Sequence, residues 1–386
     1  MNSVLPHNPY AEALSLRLAA QEDLEKKLDE LRNFKKEQSQ PLRESFLKGK
    51  ISLLQLMASL THLADAILVA AHAMAVERLD PTFGTPSFKD NQGNILPGEY
   101  SIIGMGKLGG GELHFGSDLD VIFIYNQNGD TLGARPITNR EYFAKLTQRI
   151  ISYLTLHTSR GFAYHVDTEL RPSGMAGALV TPMDSWKGYY QEMAQVWERQ
   201  ALLRARIIYA SGDFAQEFEG LFQQLIFNKP FPKDLGHEIH HLRMRIEREL
   251  AKESARRWNF KKGYGGLVDI EFLVQYLQLK LGNTEKEILT PNTLVALKRF
   301  SQKKILPAGK IELLESAYEF YRLLEFYLAL NPEWNQGYLD PKGKSGKILG
   351  KDLNFKNQED FIKKFAYYRD SVRKIYLETL HIEASP

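Results

Sequence analysis

Residues 101–125 read Ser-Ile-Ile-Gly-Met-Gly-Lys-Leu-Gly-Gly-Gly-Glu-Leu-His-Phe-Gly-Ser-Asp-Leu-Asp-Val-Ile-Phe-Ile-Tyr. An apolar run leads into a glycine-rich stretch, and two aspartates then open a second apolar run. Short runs rich in β-branched and aromatic residues and bounded by glycine are typical of buried strands. The sequence therefore predicts two strands, at 100–105 and 119–126, with a glycine-rich loop between them.

Two aspartates stand at the mouth of the second predicted strand. Because side chains alternate along a strand, Asp118 and Asp120 point the same way and face one cavity. Magnesium prefers such hard oxygen ligands, and two ions about 3.5–4 Å apart can stabilise the attacking and leaving oxygens of an in-line phosphoryl displacement. We therefore predict that both aspartates are catalytic magnesium ligands.

The glycine-rich loop predicts a nucleotide site. Glycine lets the backbone approach a triphosphate closely, with N–H groups free to donate. A lysine and a serine in the same segment add a positive charge and a hydroxyl group. The predicted nucleotide-binding residues of this segment are Gly106, Lys107, Gly109, Gly110 and Ser117.

A third carboxylate is expected from a neighbouring strand, predicted at 162–170. Alternation along that strand puts His165, Asp167, Glu169 and Arg171 on one face. We predict that Asp167 is the third magnesium ligand. A carboxylate within hydrogen-bond reach can also accept the proton of an attacking hydroxyl group, so Asp167 is predicted to be catalytic as well.

Three further motifs follow the first, which runs from Gly104 to Asp120. They read Asp-Thr-Glu-Leu-Arg-Pro-Ser-Gly from 167, Trp-Glu-Arg-Gln-Ala-Leu-Leu-Arg-Ala-Arg from 197 and Gly-Gly-Leu-Val-Asp-Ile-Glu-Phe from 265. In this order the four motifs resemble the bacterial glutamine synthetase adenylyltransferase family. The resemblance implies an α+β chain, with a polymerase-beta-like nucleotidyltransferase sheet domain, flanking helical segments and a C-terminal helical bundle.

The resemblance also implies a reaction, in which AMP passes from ATP to a tyrosine hydroxyl of glutamine synthetase and pyrophosphate leaves. Magnesium is the implied cofactor, ATP and glutamine synthetase are the implied partners, and a PII-type signalling protein is a further candidate partner. Together with the phosphate's need for fork-shaped donors, the family match suggests three nucleotide-binding arginines. These are Arg171, Arg204 and Arg206. It also makes Asp269 and Glu271, with Lys261, candidates for supporting the site.

The direction of the reaction is left open between alternatives. Full-length members of this family carry two such domains, one that adds AMP and one that removes it by phosphorolysis, and this chain carries one. Segments 172–180 and 197–202 are more like the adding domain. Glu169 stands where the family usually has arginine, so an anion replaces a cation that would face phosphates. The hypotheses are AMP addition, AMP removal, and a nucleotide-binding regulator without catalysis.

Three shorter motifs partly match the patterns of other kinds of site, but each match is incomplete. Gly104-x-Gly-x-x-Gly109 fits a dinucleotide fingerprint, but the next strand follows too soon for a crossover helix. His237-Glu-Ile-His-His241 fits a zinc-protease pattern, yet both terminal histidines continue into a basic, solvated helix face. Gly343-Lys-Ser lacks the spacing and the preceding strand of a phosphate loop, and we predict a surface loop there.

The composition is that of an ordinary globular enzyme. The 386 residues are 43% hydrophobic and 25% charged, with a formal net charge of +3 and no cysteine. The absence of cysteine excludes disulfides, thiolate catalysis and cysteine-ligated zinc, and it fits the cytoplasm. The net charge gives no reason to expect nucleic-acid binding. Residues 1–7 show no signal-peptide pattern.

One segment, 53–79, is apolar enough to be considered as a membrane span. It contains His62, Asp65 and His72, and its larger apolar residues follow a helical period. Ser52 and Gln55 offer a capping box at its start. The sequence therefore predicts an amphipathic, packed helix and no membrane association.

The predicted organisation has three parts. They are an N-terminal helical region and linker at 1–95, a nucleotidyltransferase catalytic domain at 96–185 and a C-terminal helical bundle at 186–386. A further strand is predicted at 177–181, and Thr138 is predicted to cap a helix that runs to about residue 157. Thr181 is predicted to cap a helix that has Pro182 in its first position. Further helices are predicted at 236–258, 267–281, 311–330 and 358–381. Predicted core residues are Trp197, Tyr318, Tyr321 and Phe326.

Overall fold

The computed structural model describes residues 8–330 and 338–383 of the chain. Its contacts divide the chain into a first unit, Met1–Asn228, and a second unit, Lys229–Pro386. Residues 1–7, in which the sequence shows no signal-peptide pattern, lie outside the described residues. The division by contacts falls after residue 228, and the domain limits at 95 and 185 stay predictions.

The first unit combines helices with a sheet. Its helices are α1 (Ala11–Ala19), α2 (Leu24–Leu47), α3 (Leu53–Phe83), α4 (Gly106–Gly110), α5 (Asn139–Thr155), α6 (Met183–Glu192), α7 (Val196–Leu202), α8 (Phe214–Glu217) and α9 (Leu221–Phe227). The predicted caps of α3 and α5 are confirmed, because Ser52 and Gln55 form a capping box and the Thr138 side chain accepts from the Glu141 N–H. Each cap satisfies N–H groups that would otherwise lack partners at the helix start.

Helix α3 is the one helix in the described parts of the chain whose length and composition would let it cross a membrane. In the first unit it packs against α2 and α5, and 56% of its most apolar stretch of 18 residues is buried. The predicted packed helix is therefore confirmed. It does not have the single apolar stripe of an amphipathic helix, because residues around most of its circumference are buried. Fully buried examples are Leu63, Ala64, Ile67 and Leu68.

The strands form two sheets. Their bounds are β1 (Pro86–Lys89), β2 (Ile95–Pro97), β3 (Tyr100–Gly104), β4 (Leu119–Tyr125), β5 (Asp130–Thr131), β6 (Val166–Asp167), β7 (Val180–Pro182) and β8 (Arg206–Ala210). The larger sheet has the order β6-β4-β3-β8, with β7 also paired to β4, and the smaller has the order β2-β1-β5. Every residue of the central strand β4 except Asp120 is buried. The sheet thus presents this carboxylate from an otherwise apolar strand.

Strands β3 and β4 confirm the two strands predicted around the glycine-rich segment. The strand predicted at 162–170 shrinks to the two residues of β6, because the chain turns immediately after Asp167. Glu169 and Arg171 therefore do not continue the face of the strand, and that prediction is wrong. Strand β8 was not predicted, although it pairs antiparallel with β3 and belongs to the same sheet.

Two further local predictions in the first unit are wrong. Thr181 does not cap a helix, since β7 pairs it with Ile124, and α6 begins one residue after Pro182. Trp197 is not a core residue: it lies near the start of α7, is 37% exposed and donates its indole N–H to the Gln195 side chain.

The described residues of the second unit are helical apart from short turns and bridges. Its helices are α10 (Leu235–Ile246), α11 (Leu267–Leu281), α12 (Thr293–Gln302), α13 (Ala308–Ala329), α14 (Lys344–Asp352) and α15 (Gln358–Leu380), and a π-helix, Glu247–Ala251, continues α10. The four predicted helices are confirmed, although α10 and its π-turn end before residue 258. The surface loop predicted at 343–345 is wrong, because α14 starts at Lys344. Tyr318, Tyr321 and Phe326 are core residues, as predicted.

Candidate functional site

The predicted carboxylates meet because β4 and β6 are parallel neighbours. Their register pairs Asp120 with Asp167, and the Leu119 N–H donates to the His165 carbonyl at 2.9 Å. Paired residues on strands about 4.8 Å apart point their side chains the same way. Asp118 lies just before β4 and is exposed. The structure thus brings the three aspartates to one end of the larger sheet.

The surroundings of Asp120 disfavour its ionised form. Burial raises the pKa of Asp120 to about 6, and repulsion from Asp167 and Asp118 adds to the rise. The positive charges of Lys107 and Arg204 oppose the rise without cancelling it. A carboxylate that is partly desolvated and repelled by its neighbours gains most from a cation.

The three aspartates supply only oxygen donors for a metal ion. Within residues 8–330 and 338–383, no three side chains of the kinds that bind metals are gathered into a group that could hold an ion as they stand. The chemistry of the donors nevertheless suits a divalent cation of the magnesium type, because the aspartates offer hard oxygens and carry uncompensated charge. The residues therefore fit magnesium in kind and in charge.

The glycine-rich segment is a short helix, α4, and not the open loop that the sequence predicts. The Met105 N–H donates to the Asp120 carbonyl, and the Gly109 N–H donates to the Met105 carbonyl, both at 2.8 Å. Gly106 has a φ of +50°, and a Cβ there would lie 2.5 Å from an Asp120 carboxylate oxygen. Gly106 is therefore needed where the backbone passes the carboxylate, whereas the Gly109 N–H is already used within the protein.

Gly109 lets α4 pack against another segment of backbone. A Cβ at this position would lie 1.8 Å from the Arg204 carbonyl oxygen and 2.5 Å from the Gly104 carbonyl oxygen. Real Cβ atoms do not approach oxygen so closely, so a side chain would push α4 away from the sheet. Gly110 is buried beside it. The glycines thus set the position of α4 relative to Asp120.

We expect Gly109→Ala to destabilise the first unit by about 3 kcal/mol, the cost of strong overpacking at a site walled by backbone. The comparison variant is Gly188→Ala in α6, where an added Cβ meets nothing within 4 Å. Urea denaturation of both variants measures the difference. Equal stability of the two variants would contradict the packing role of Gly109.

The three predicted arginines all bind groups of the protein. The Arg204 Nε donates to the Gly106 carbonyl at 2.9 Å, and its guanidinium pairs with the fully buried Glu112. Arg206 donates a hydrogen bond to each carboxylate oxygen of Asp65, at 2.9 and 3.0 Å, and a further one to the Leu108 carbonyl. Two arginines thus brace α4 by its carbonyl groups. Their intramolecular partners were not predicted.

Arg171 has a similar task in the turn after β6. Its guanidinium donates to the carbonyl groups of Thr168, Met175 and Gly177 at 2.8 to 3.2 Å. The turn begins where an Asp167 carboxylate oxygen accepts from the Glu169 N–H at 2.7 Å. Arg171 and this turn therefore fix the backbone that carries Asp167. Glu169 itself is exposed.

Lys107, His114 and Ser117 form a small polar group beside α4. The His114 Nδ1 lies 2.6 Å from the Phe115 carbonyl, which can only accept, so Nδ1 carries the ring proton. The Nε2 is then free to accept from the Lys107 ammonium at 3.0 Å. The Ser117 hydroxyl accepts from the His114 N–H at 3.1 Å. His114, which sequence reasoning missed, thus helps to position the lysine whose charge acts on Asp120.

Two basic residues of α2 also escaped prediction. Arg32 donates to the carbonyl groups of Tyr153 and Gly161, and Lys35 donates to Ala163 and lies 3.8 Å from the centre of the Tyr164 ring. Burial lowers the pKa of Lys35 to about 8. These contacts hold the segment that leads into β6. The partners lie more than 120 residues away in sequence, so no local pattern reveals them.

The remaining candidates belong to the second unit. Asp269 is fully buried and paired with Arg243 and Arg373. Glu271 pairs with Arg322 at 3.1 Å, and Lys261 pairs with Glu325 at 3.2 Å. These residues form ion pairs within the helical unit. His237 and His241 are exposed on α10, on the face expected from the sequence.

Comparison with known proteins finds a matching family model for most of each unit. A glutamate-ammonia ligase adenylyltransferase model matches residues 2–221, and a GlnD PII-uridylyltransferase model matches residues 236–380. The two matched segments fall within the first and second units. The first match alone covers more than half of the chain.

Curated relatives give the same family. Proteins named bifunctional glutamine synthetase adenylyltransferase/adenylyl-removing enzyme from Nitrosococcus oceani, Mannheimia succiniciproducens and Pseudomonas putida are each 34% identical to this chain, over 83%, 85% and 81% of its length. The chain spans 33% of each of these relatives, about a third of their length. The chain belongs to the glutamate-ammonia ligase adenylyltransferase family.

Proposed function

We propose that the first unit is a nucleotidyltransferase domain of the polymerase-beta type that transfers AMP from ATP to a tyrosine of glutamine synthetase, with release of pyrophosphate. The observation that carries this proposal is the pairing of Asp120 with Asp167 in neighbouring strands, at the point where the Gly106 backbone lies close to the Asp120 carboxylate. Family membership supplies the substrate class. The names of the relatives support glutamine synthetase as the target.

In the proposed site, Asp118, Asp120 and Asp167 would hold magnesium, which would supply Lewis-acid stabilisation of the phosphoryl oxygens. The tyrosine hydroxyl oxygen attacks the α-phosphorus of ATP, and the bond from that phosphorus to the bridging oxygen of the β-phosphate breaks. Asp167 takes the hydroxyl proton with one carboxylate oxygen, while the Glu169 N–H holds the other. Lys107 and Arg204 add positive charge near the carboxylates.

The test is a transfer assay. The protein is incubated with magnesium, ATP labelled at the α-phosphate and glutamine synthetase from the same organism. Label on a tyrosine of the synthetase supports the proposal. Label that stays in ATP, although ATP binds, contradicts AMP addition.

Phosphorolytic removal of AMP is the second candidate. It is supported by the names of the relatives, which state both activities. Adenylylated glutamine synthetase and inorganic phosphate test it. Release of ADP assigns the chain to removal, because phosphate then takes AMP from the tyrosine.

A non-catalytic nucleotide-binding regulator is the third candidate, and Glu169 is the residue that raises it. It is exposed in the turn after β6, close in sequence to Asp167. If this turn faces the triphosphate, an anion there repels it, and Glu169→Arg should tighten ATP binding about tenfold, the effect of one charge-assisted hydrogen bond. Calorimetric titration with ATP measures the change.

Glu169→Gln is the control, since it removes the negative charge without adding a donor fork. We expect an intermediate gain in affinity for it. An unchanged affinity in both variants would place Glu169 away from the phosphates and remove the main argument for a regulator.

Further partners and location follow from the same proposal. We infer a PII-type signalling protein as a partner of the second unit, supported by the family match over 236–380. We infer a cytoplasmic location and no membrane association, supported by the packing of α3 inside the first unit. The proposal includes no nucleic-acid partner.

A further inference from the structure

The first unit contains a cavity of about 480 Å³ at the other end of the larger sheet from the carboxylates. Tyr100 and Tyr209 line it, and Tyr100 pairs with Tyr125 at the last position of β4. From Tyr125 back to Asp120 the strand covers about 17 Å. The cavity is therefore separate from the proposed catalytic site, and its volume is in the range of small-molecule sites.

The wall of this cavity includes the imidazole ring of His72. His72 of α3 is only 5% exposed, and its ring lies 4.1 Å from that of Tyr209 and 5.5 Å from that of Tyr100, centre to centre. In the described residues, neither ring nitrogen of His72 makes a hydrogen bond. Burial lowers its pKa to about 3, so the ring is neutral and offers one donor and one acceptor. Buried polar groups in native proteins are normally satisfied.

Two carboxylates also line the cavity. Asp80 accepts from the Tyr142 hydroxyl, and Glu99 accepts from the Asp213 N–H at 3.1 Å. Among the residues that the structure describes, neither carboxylate pairs with a lysine, arginine or histidine. Burial raises the pKa of both groups, and Asp213 and Glu217 raise that of Glu99 further. The cavity therefore has negative charge without a counter-charge.

The rest of the cavity is mainly apolar, with Thr85, Ser87 and Ser211 as further polar residues of its lining. Ile95 and Leu96 of β2 and Leu132 lie at its edge and are exposed, although each is a large hydrophobic residue. Aromatic rings line the deeper part. Exposed apolar residues gathered around a concave, aromatic site are typical of binding surfaces.

We propose that this cavity binds a small molecule that carries a protonated amine on a flat apolar body. The amine is recognised by Asp80 and Glu99, and the apolar body packs between Tyr100, Tyr209 and the edge residues of β2. The neutral His72 ring supplies one further hydrogen bond. An anionic ligand is excluded by the two carboxylates. This inference does not depend on the proposed AMP transfer, and its test uses binding alone.

Two probes with one ring system and opposite charge test the proposal. Tryptamine and indole-3-acetate are titrated into the full chain by calorimetry. We expect saturable binding of tryptamine at one site and binding of indole-3-acetate at least tenfold weaker. Equal affinities, or no saturable binding of tryptamine, would overturn the proposal.

Isosteric variants locate the bound amine. Glu99→Gln and Asp80→Asn keep an oxygen that accepts from the Asp213 N–H and the Tyr142 hydroxyl, but each removes one charge. We expect each to weaken tryptamine binding about fivefold or more, the effect of a partly buried charge pair. Glu44→Gln, on α2 outside the cavity, should change nothing. Binding that neither cavity variant weakens lies elsewhere and overturns the assignment.

Discussion

Asp120→Asn is expected to lower the proposed AMP transfer by a factor of about a thousand or more while it stabilises the folded protein at neutral pH. The loss of transfer follows because the carboxylate at the centre of the group would no longer hold magnesium, and electrostatic stabilisation of this kind is worth several kcal/mol. The matched control is Asp130→Asn in β5, an exposed aspartate of the smaller sheet. Transfer of labelled AMP by the two variants measures the effect.

The gain in stability follows from the pKa of Asp120, which rises from 3.8 to about 6 on folding. A raised pKa means that the folded protein favours the protonated acid. The associated stability is fully present below about pH 4 and is lost as the pH rises through about 6. Above that pH the ionised group costs about 2–3 kcal/mol, since each pKa unit corresponds to about 1.4 kcal/mol. Asparagine avoids this cost.

Thermal unfolding at two pH values, with and without magnesium, separates the effect of removing the Asp120 charge from other effects of the substitution. Asp120→Asn should unfold at a higher temperature than the wild type at pH 8, with a smaller difference at pH 5. Magnesium should stabilise the wild type at pH 8 and the variant much less, because bound cation requires the ionised carboxylate. A variant that loses transfer but keeps the wild-type pH dependence and magnesium response would show that Asp120 acts by some means other than its buried charge.

The strands of the proposed site could be predicted because their signals are local. Continuous apolar runs mark β3 and β4, and the spacing of Asp118 and Asp120 places them at the strand mouth. Strand β8 escaped because it follows α7 after only three residues and no glycine or proline separates them. Its partner, β3, lies about a hundred residues earlier, so only the sheet reveals that Arg206–Ala210 is a strand.

The roles of the glycines and arginines could not be predicted for the same reason. The sequence shows small residues beside aspartates, which suits both phosphate binding and close backbone packing. Only the fold shows that Gly109 faces the Arg204 carbonyl. Only the fold shows, likewise, that Arg206 pairs with Asp65, which lies 141 residues earlier in the sequence. Charged residues can be recognised by type, but their partners are set by contacts between distant segments.

Asp269→Ala is expected to destabilise the second unit by about 3–5 kcal/mol, the usual cost of removing one partner from a buried ion pair. Asp269 is fully buried, with no surface in contact with solvent. It accepts from Arg243, from the Arg373 Nε at 2.6 Å and from the Gly265 N–H at 3.1 Å. Its removal leaves two buried cations with Glu247 as their remaining acidic partner.

Hydrogen exchange localises the effect, since it reports each helix separately. We expect Asp269→Ala to reduce protection in α11, which carries Asp269, and in α10 and α15, which carry Arg243 and Arg373, while the first unit keeps its own protection. Asp269→Asn should reduce this protection less, because its amide oxygen still accepts hydrogen bonds although the negative charge is gone. Glu319→Ala, on the exposed side of α13, should change stability by less than about 0.5 kcal/mol. Full protection of the three helices in Asp269→Ala would mean that water or a neighbouring acid can compensate the two arginines, and that the buried ion pairs are not what holds these helices together.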